Sequence, residues 1–259
     1  MRLSVKTLLC GVALAGVLAT GLAAAAIADI PGYITAAVAD PSRPAKDTVR
    51  DAARKPGEMM VFAHVKPGQT VIELLPGGGY FTRVLSKVVG PTGHVYSANI
   101  GGGSGDAKAA ATSVSAEPGY GNVTDIKLPE GLLTAPKADI VWTAQNYHDF
   151  HLARLKINVP ATDKLIYDSL KPGGEFIVID HAAVDGTGLT PDDKGVIIPD
   201  KLHRIDEAFA KKEIEAAGFV LDGESDALRN PADSRTVNVF DPSIRGHTDQ
   251  FVLRFRKPK

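Results

Sequence analysis

From about residue 70 to the C-terminus, short and nearly continuous apolar runs alternate with longer stretches whose apolar residues stand three or four apart. "TVIELL" is β-branched at its start and almost wholly apolar, the pattern of a central strand covered on both faces. "YFTRVLSKVVG" sets Phe81 with Leu85 and Val84 with Val88 at helical spacing and stops at Gly90. "GHVYSANI", "GNVTDI", "ADIVWTAQ" and "EFIVIDHAA" predict four further strands. Small residues around "AKAAATSVSA" predict a helix, as do "ATDKLIYDSL" and "HRIDEAFAKKEIEAAG". "FVLDGES" and "DQFVLRFRK" predict a closing antiparallel pair. Ahead of them, residues 40–65 predict two short helices broken at Lys55-Pro56-Gly57. Strand and helix in alternation imply right-handed crossovers and a mainly parallel sheet. The one long irregular stretch, residues 184–202, follows the fifth strand, where such loops tend to be lids.

The first 28 residues do not belong to this pattern. Arg2 and Lys6 precede a long apolar run ending Ala26-Ile27-Ala28, which reads as a secretory signal with a small-residue cleavage site. The alternative is an uncleaved anchor, against which the alanine and glycine content of the run counts. Cleavage before Asp29 leaves 231 of the 259 residues, the size of one α/β domain with N-terminal helices, exported and periplasmic. The only cysteine, Cys10, leaves with the signal, so a disulfide, a thiol nucleophile and a thiolate ligand are excluded from the exported chain. Loss of two basic residues moves the formal net charge from −1 to −3, a balance that suggests neither a nucleic-acid partner nor a membrane surface.

Candidate chemistry begins at "VIELLPGGGYFT". Three glycines between a strand and a helix let the backbone approach a ligand and aim free amides at it. A phosphate loop needs a following Gly-Lys-Ser/Thr, and a dinucleotide turn needs Gly-x-Gly-x-x-Gly; neither is present. By itself the turn is compatible with no ligand at all.

Its surroundings are more specific. Glu73 closes the strand, "ADIVW", "LKPGGEFIVIDH" and "EIEAAGFVL" follow in order, and across about residues 47–257 the chain resembles the class I S-adenosylmethionine-dependent methyltransferases. More narrowly it resembles predicted exported bacterial methyltransferases carrying "PGGGY", "QNYHD", "DHAA", "HRID" and "LRNP". The resemblance implies an α/β, Rossmann-like class I methyltransferase fold with a mainly parallel seven-stranded sheet and a C-terminal antiparallel strand. It also implies S-adenosylmethionine as cofactor. Glu73, Gly77 and Gly79 would surround its methionine part, with Gly78 and Tyr80 at the wall. Leu75 stands where the family has its first glycine, so a bulkier wall is expected there. Asn99 stands where the family carries an acid for the ribose hydroxyls; an amide makes such contacts without the charge that strengthens them. Asp125 would contact adenine from its place after the third strand.

Ligands of open α/β sheets sit beyond the carboxyl ends of the strands, where "QNYHDFH" and "DHAA" place Asn146, Tyr147, His148, Asp149, Asp180 and His181. "HRID" adds His203, Arg204 and Asp206 if the preceding loop folds back. Methyl transfer needs alignment and sometimes a base, so His148 and His181 are candidate bases, Asp149 a candidate catalytic partner, and Tyr147 or Tyr80 a ring to flank the sulfonium. For each histidine a structural hydrogen bond is the competing reading. A divalent metal on Asp149, Asp180, His181 and His203 is a further alternative, but without a compact ligand motif no metal is assigned. Arg229, Asn230, Arg245, His247 and Asp249 form either a substrate cap or a solvated connection, and Trp142 reads as core. Two functions stand at this point: a methyltransferase acting on a small molecule, and a non-catalytic exported binding protein on the same scaffold.

Overall fold

The structure, a computed structural model, describes residues 29–100 and 113–259. The signal segment, and most of the small-residue helix expected around residues 107–116, lie outside the described residues. In chain order the elements are α1 (Gly32–Val38), α2 (Ala45–Thr48), α3 (Asp51–Arg54), α4 (Pro56–Phe62), β1 (Thr70–Leu74), α5 (Tyr80–Val89), β2 (His94–Ile100), β3 (Val123–Leu128), α6 (Glu130–Thr134), β4 (Ala138–Ala144), α7 (Val159–Ser169), β5 (Leu170–His181), α8 (Ile198–Leu202), α9 (Glu207–Ala216), β6 (Val220–Ser225) and β7 (Gln250–Arg256). No described helix is long and apolar enough to cross a membrane.

The strands form one seven-stranded sheet in the order β3-β2-β1-β4-β5-β7-β6. The pairings among β1 to β5 are all parallel, and β7 enters antiparallel between β5 and β6. β1 and β4 lie side by side at the centre with Glu73 opposite Trp142, so the turns that leave them open onto the same rim.

Because side chains alternate along a strand, β1 feeds two cores. Val71 packs with Trp142, Ile177 and Ile179 against α1, α4 and α5, while Ile72 and Leu74 pack with Val141, Phe176 and Val178 against α7 and α9. Glu73 shares the side of Val71 and lies buried beneath α5.

Several local expectations take a definite form. The break at Lys55 is real: its φ of 43° is left-handed, and Pro56 opens α4 at a position where a missing amide hydrogen costs nothing. β5 starts at Leu170, directly after α7, and runs through "KPGG". α9 starts later than its apolar spacing suggests, because the Asp206 carboxylate accepts the amides of Ala208 and Phe209 at 2.9 and 3.2 Å and caps it.

Candidate active site

One cavity of about 790 Å³ lies at the carboxyl ends of β1, β4 and β5, within the ~300–1,000 Å³ usual for small-ligand sites. The glycine turn forms one wall. Gly77 has a φ of 55°, Gly78 does not need the left-handed region, and a side chain built on either would meet no protein atom within 4 Å, so both backbones border open space. Gly79 differs. It is held at φ 78° as the residue before α5, and a Cβ there would stand 2.3 Å from Val114, so its smallness serves packing and it does not line the cavity.

Leu75 lines the cavity in the left-handed region, with φ 50°, a conformation that disfavours a side chain. The turn is kept in place by its neighbours. The Leu75 amide donates to Ala98 O at 2.8 Å, and its carbonyl accepts the side-chain amide of Asn146 at 2.8 Å. Asn146 also donates to Ala144 O, tying together the ends of β1 and β4. Gln145, the matching residue after β4, is left-handed too, with φ 65°.

Glu73 accepts the Thr82 hydroxyl at 2.5 Å. Burial raises its carboxyl to about 7, against the opposing pull of that hydrogen bond and of Arg54 and Arg83. Arg54, from α3, donates to the Gln145 side chain and stacks over the rings of Tyr80 and Phe81, at 4.7 and 5.6 Å. Burial, with neighbouring Arg50, lowers it to about 10.

Four expectations are corrected here. Tyr147 is fully buried and away from the cavity: its hydroxyl donates to Asp163 and Glu213 at 2.8 and 2.9 Å, among the residues packed below the sheet. The physical reason is the 3-10 turn at residues 148–151, which sends adjacent side chains to different sides. The Tyr80 ring lines the cavity, but the cations it meets are the protein's own Arg43, Arg50 and Arg54, and its hydroxyl donates to Asp51 at 2.6 Å. Asp125 sits inside β3, opposite Ser97, and accepts hydrogen bonds from Ser113 and Ser115. Asn99 is exposed near the end of β2, its amide 3.4 Å from the Ser97 hydroxyl, and is not among the residues lining the cavity.

His148, Asp149, His181 and His203 do come together on the lining of this cavity, the His148 ring 5.9 Å from that of His181 and 5.4 Å from that of His203. Asp180 is fully buried beneath them. One carboxylate oxygen accepts the His148 amide at 2.7 Å, and the other meets His148 Nδ1 at 2.8 Å and the His181 amide at 2.7 Å. Burial alone would lower His148, but the Asp180 carboxylate holds it above the ordinary histidine value. His181 is pushed well below that value, by burial first and then by His148 and Arg204, so it is neutral at pH 7. Its Nδ1 lies 2.6 Å from the Thr248 hydroxyl.

The remaining polar motifs are structural. Arg204 is fully buried, pairs with Asp233 at 2.8 Å and donates to the carbonyls of Ala182 and Val237. Asp249 accepts the Asn230 amide and pairs with Arg235. The segment between β6 and β7 is therefore pinned by buried ion pairs; it is not a solvated hairpin connection. Its Val239 and Phe240 reach the cavity wall, while Arg245 and His247 are exposed. Trp142 is core. The reading of the sequence missed Arg50 and Arg54, whose spacing of four residues sets them on one side of a helical stretch, and also Arg154 and Phe240, which no local pattern marks.

This architecture has known counterparts. A "SAM dependent methyltransferase" from Aquifex aeolicus superposes with a TM-score of 0.53 at 18% identity, over 80% of this chain and 98% of its own. The 1,6-didemethyltoxoflavin-N1-methyltransferase of Burkholderia thailandensis, solved with bound 1,6-didemethyltoxoflavin and S-adenosylhomocysteine, gives 0.51 at 18%, over 81% and 80%. The chain thus has the Rossmann-like class I methyltransferase fold. In sequence, the ubiquinone/menaquinone biosynthesis C-methyltransferase UbiE of Legionella pneumophila (strain Lens) is 31% identical over 141 residues, half of each chain. This chain spans about half the length of the curated relatives it matches. No family model matches it.

Proposed function

We propose that the cavity binds S-adenosylmethionine and that the protein transfers its methyl group to a small molecule. The observation that carries this reading is the bare backbone of Gly77 and Gly78 facing open space in a cavity that Glu73, His148 and His181 also line. The scaffold it shares with methyltransferases, one of them holding S-adenosylhomocysteine, supports it. In the reaction, an electron pair of the substrate attacks the methyl carbon, the carbon–sulfur bond breaks, and its pair stays on sulfur as the neutral thioether. A proton released by the substrate needs an acceptor, and the imidazoles of His148 and His181 on the cavity lining are the candidates.

A non-catalytic binding domain is the second reading, favoured by Asn99, which carries no charge to offer a ribose and stands outside the cavity lining. Calorimetric titration with S-adenosylmethionine and S-adenosylhomocysteine separates the two. Gly78→Val is the informative variant, because its backbone tolerates a side chain and its Cβ enters open space. Saturable binding to the wild type, lost in a Gly78→Val variant of unchanged melting temperature, is the expected result. No binding of either compound to the folded wild type, or equal binding to the variant, contradicts the cofactor reading.

A further inference from the structure

We propose that His148, Asp149 and His203 form a binding site for a divalent first-row transition-metal ion at the edge of the cavity. One ligand atom from each residue lies within 4.8 Å of the other two. Asp149 Oδ1 stands 3.3 Å from His148 Nε2 and 3.6 Å from His203 Nδ1. Donors at about 2.1 Å from a common ion are separated by about 3.0 Å in an octahedron and about 3.4 Å in a tetrahedron. Small side-chain shifts therefore complete the site.

Two features go beyond proximity. The first is the partner of the ligand His148: its Nδ1 meets Asp180 Oδ1 at 2.8 Å, and the other Asp180 oxygen accepts the amide of the same residue. A carboxylate behind the remote nitrogen of a ligating histidine fixes the tautomer, presents Nε2 and raises its basicity. The second is His203. It ends α8 in the left-handed region, at φ 52°, and its ring is held edge-on between the rings of His148, at 5.4 Å, and Phe240, at 4.9 Å. The β5–α9 connection thus spends backbone strain to bring a histidine to Asp149.

Two imidazoles and one carboxylate suit divalent ions such as zinc, cobalt or manganese, and leave coordination positions free. All three residues line the cavity, so an ion there can take an oxygen or nitrogen donor of a bound molecule. This set differs from the one the sequence offers: Asp180 is used in orienting His148, and His181 Nδ1 is engaged with Thr248. The proposal stands on the three ligands alone, whatever reaction the cavity carries out.

The test uses tag-free protein, stripped with chelator and titrated separately with zinc chloride and manganese chloride by calorimetry. Wild type is expected to bind one equivalent. His203→Ala and Asp149→Asn are expected to weaken binding at least a hundredfold while the metal-free melting temperature stays within a few degrees. Cobalt(II) loading of the wild type gives a readout that depends on no variant's folding: visible d–d bands of a nitrogen- and oxygen-ligated ion at one equivalent. Absence of stoichiometric binding and of the cobalt bands, or binding unaffected by either substitution, overturns the proposal.

Discussion

At the cavity wall, the conformation of single residues decides what can be bound. Gly78 leaves its space open, Gly79 gives its own to Val114, and Leu75 keeps a left-handed backbone that a glycine would adopt without strain. Asn99, outside the cavity lining, is where a single atom should make no difference. Asn99→Asp, which exchanges a neutral acceptor for a charged one, should leave S-adenosylhomocysteine binding within about twofold by calorimetry. Tightening by about 1 kcal/mol, roughly fivefold, would show that the residue reaches the ribose. Glu73 and the glycine turn were legible in the sequence because a short apolar strand must end in a turn and glycine marks where the backbone is free. Tyr147 was not, since in "QNYHD" only the 3-10 geometry separates the buried tyrosine from the cavity-facing histidine beside it. Asp125 failed for a related reason: a weak strand leaves its own end undefined, and the residue lies inside the ladder.

The elements that frame the site are fastened by buried charge. Arg83 of α5 pairs with Asp47 at 2.8 Å and Glu117 at 2.5 Å, and so holds α2 against the helix that follows the glycines. Arg204 and Asp233 do the same for the β6–β7 segment, with both side chains fully buried. Removing one partner of such a pair leaves an uncompensated buried charge. Arg204→Met should therefore destabilise the protein by about 3–5 kcal/mol in urea unfolding, and the double variant Arg204→Met/Asp233→Leu should recover most of that loss. If the double variant is no more stable than the single one, the pair's other hydrogen bonds carry the stability and the ion pair does not. Sequence pattern placed the strands and principal helices, because burial on a sheet imposes its period on them. It read "HRID" as part of the polar rim. In the fold, Arg204 and Asp206 turn inward as a clamp and a cap, and the residue that reaches the cavity is His203. Arg54 of α3 and Arg50 just before it were missed because a four-residue helix is too short to show a period, although its tertiary position sets Arg54 over the site.

For the whole molecule, two buried carboxyl groups set a pH dependence. Burial raises Glu73 and Asp163 each to about 7. A raised folded-state pKa favours the protonated form, so the stability it contributes is complete below the unfolded values near 4 and is lost as pH rises through about 7. At 1.36 kcal/mol per unit the loss is on the order of 3 kcal/mol for each. Between pH 5 and 8 the urea midpoint of the wild type should fall relative to that of Glu73→Gln/Asp163→Asn; parallel curves would show that neither carboxyl is protonated in the folded state. Glu73 also links this behaviour to the site. The ammonium group of S-adenosylhomocysteine brought to this carboxyl would lower it again, so binding near pH 7 should release a proton, measurable as a dependence of the calorimetric heat on buffer ionisation enthalpy.

The central claim, that one cavity brings S-adenosylmethionine to the His148–His181 wall, is tested most directly by a crystal structure of the protein with S-adenosylhomocysteine. The account predicts the ligand against Gly77 and Gly78, its methionine end toward Glu73 and its sulfur facing the histidines. S-adenosylhomocysteine seated elsewhere, or lying in this cavity with its sulfur turned away from both histidines, would contradict it.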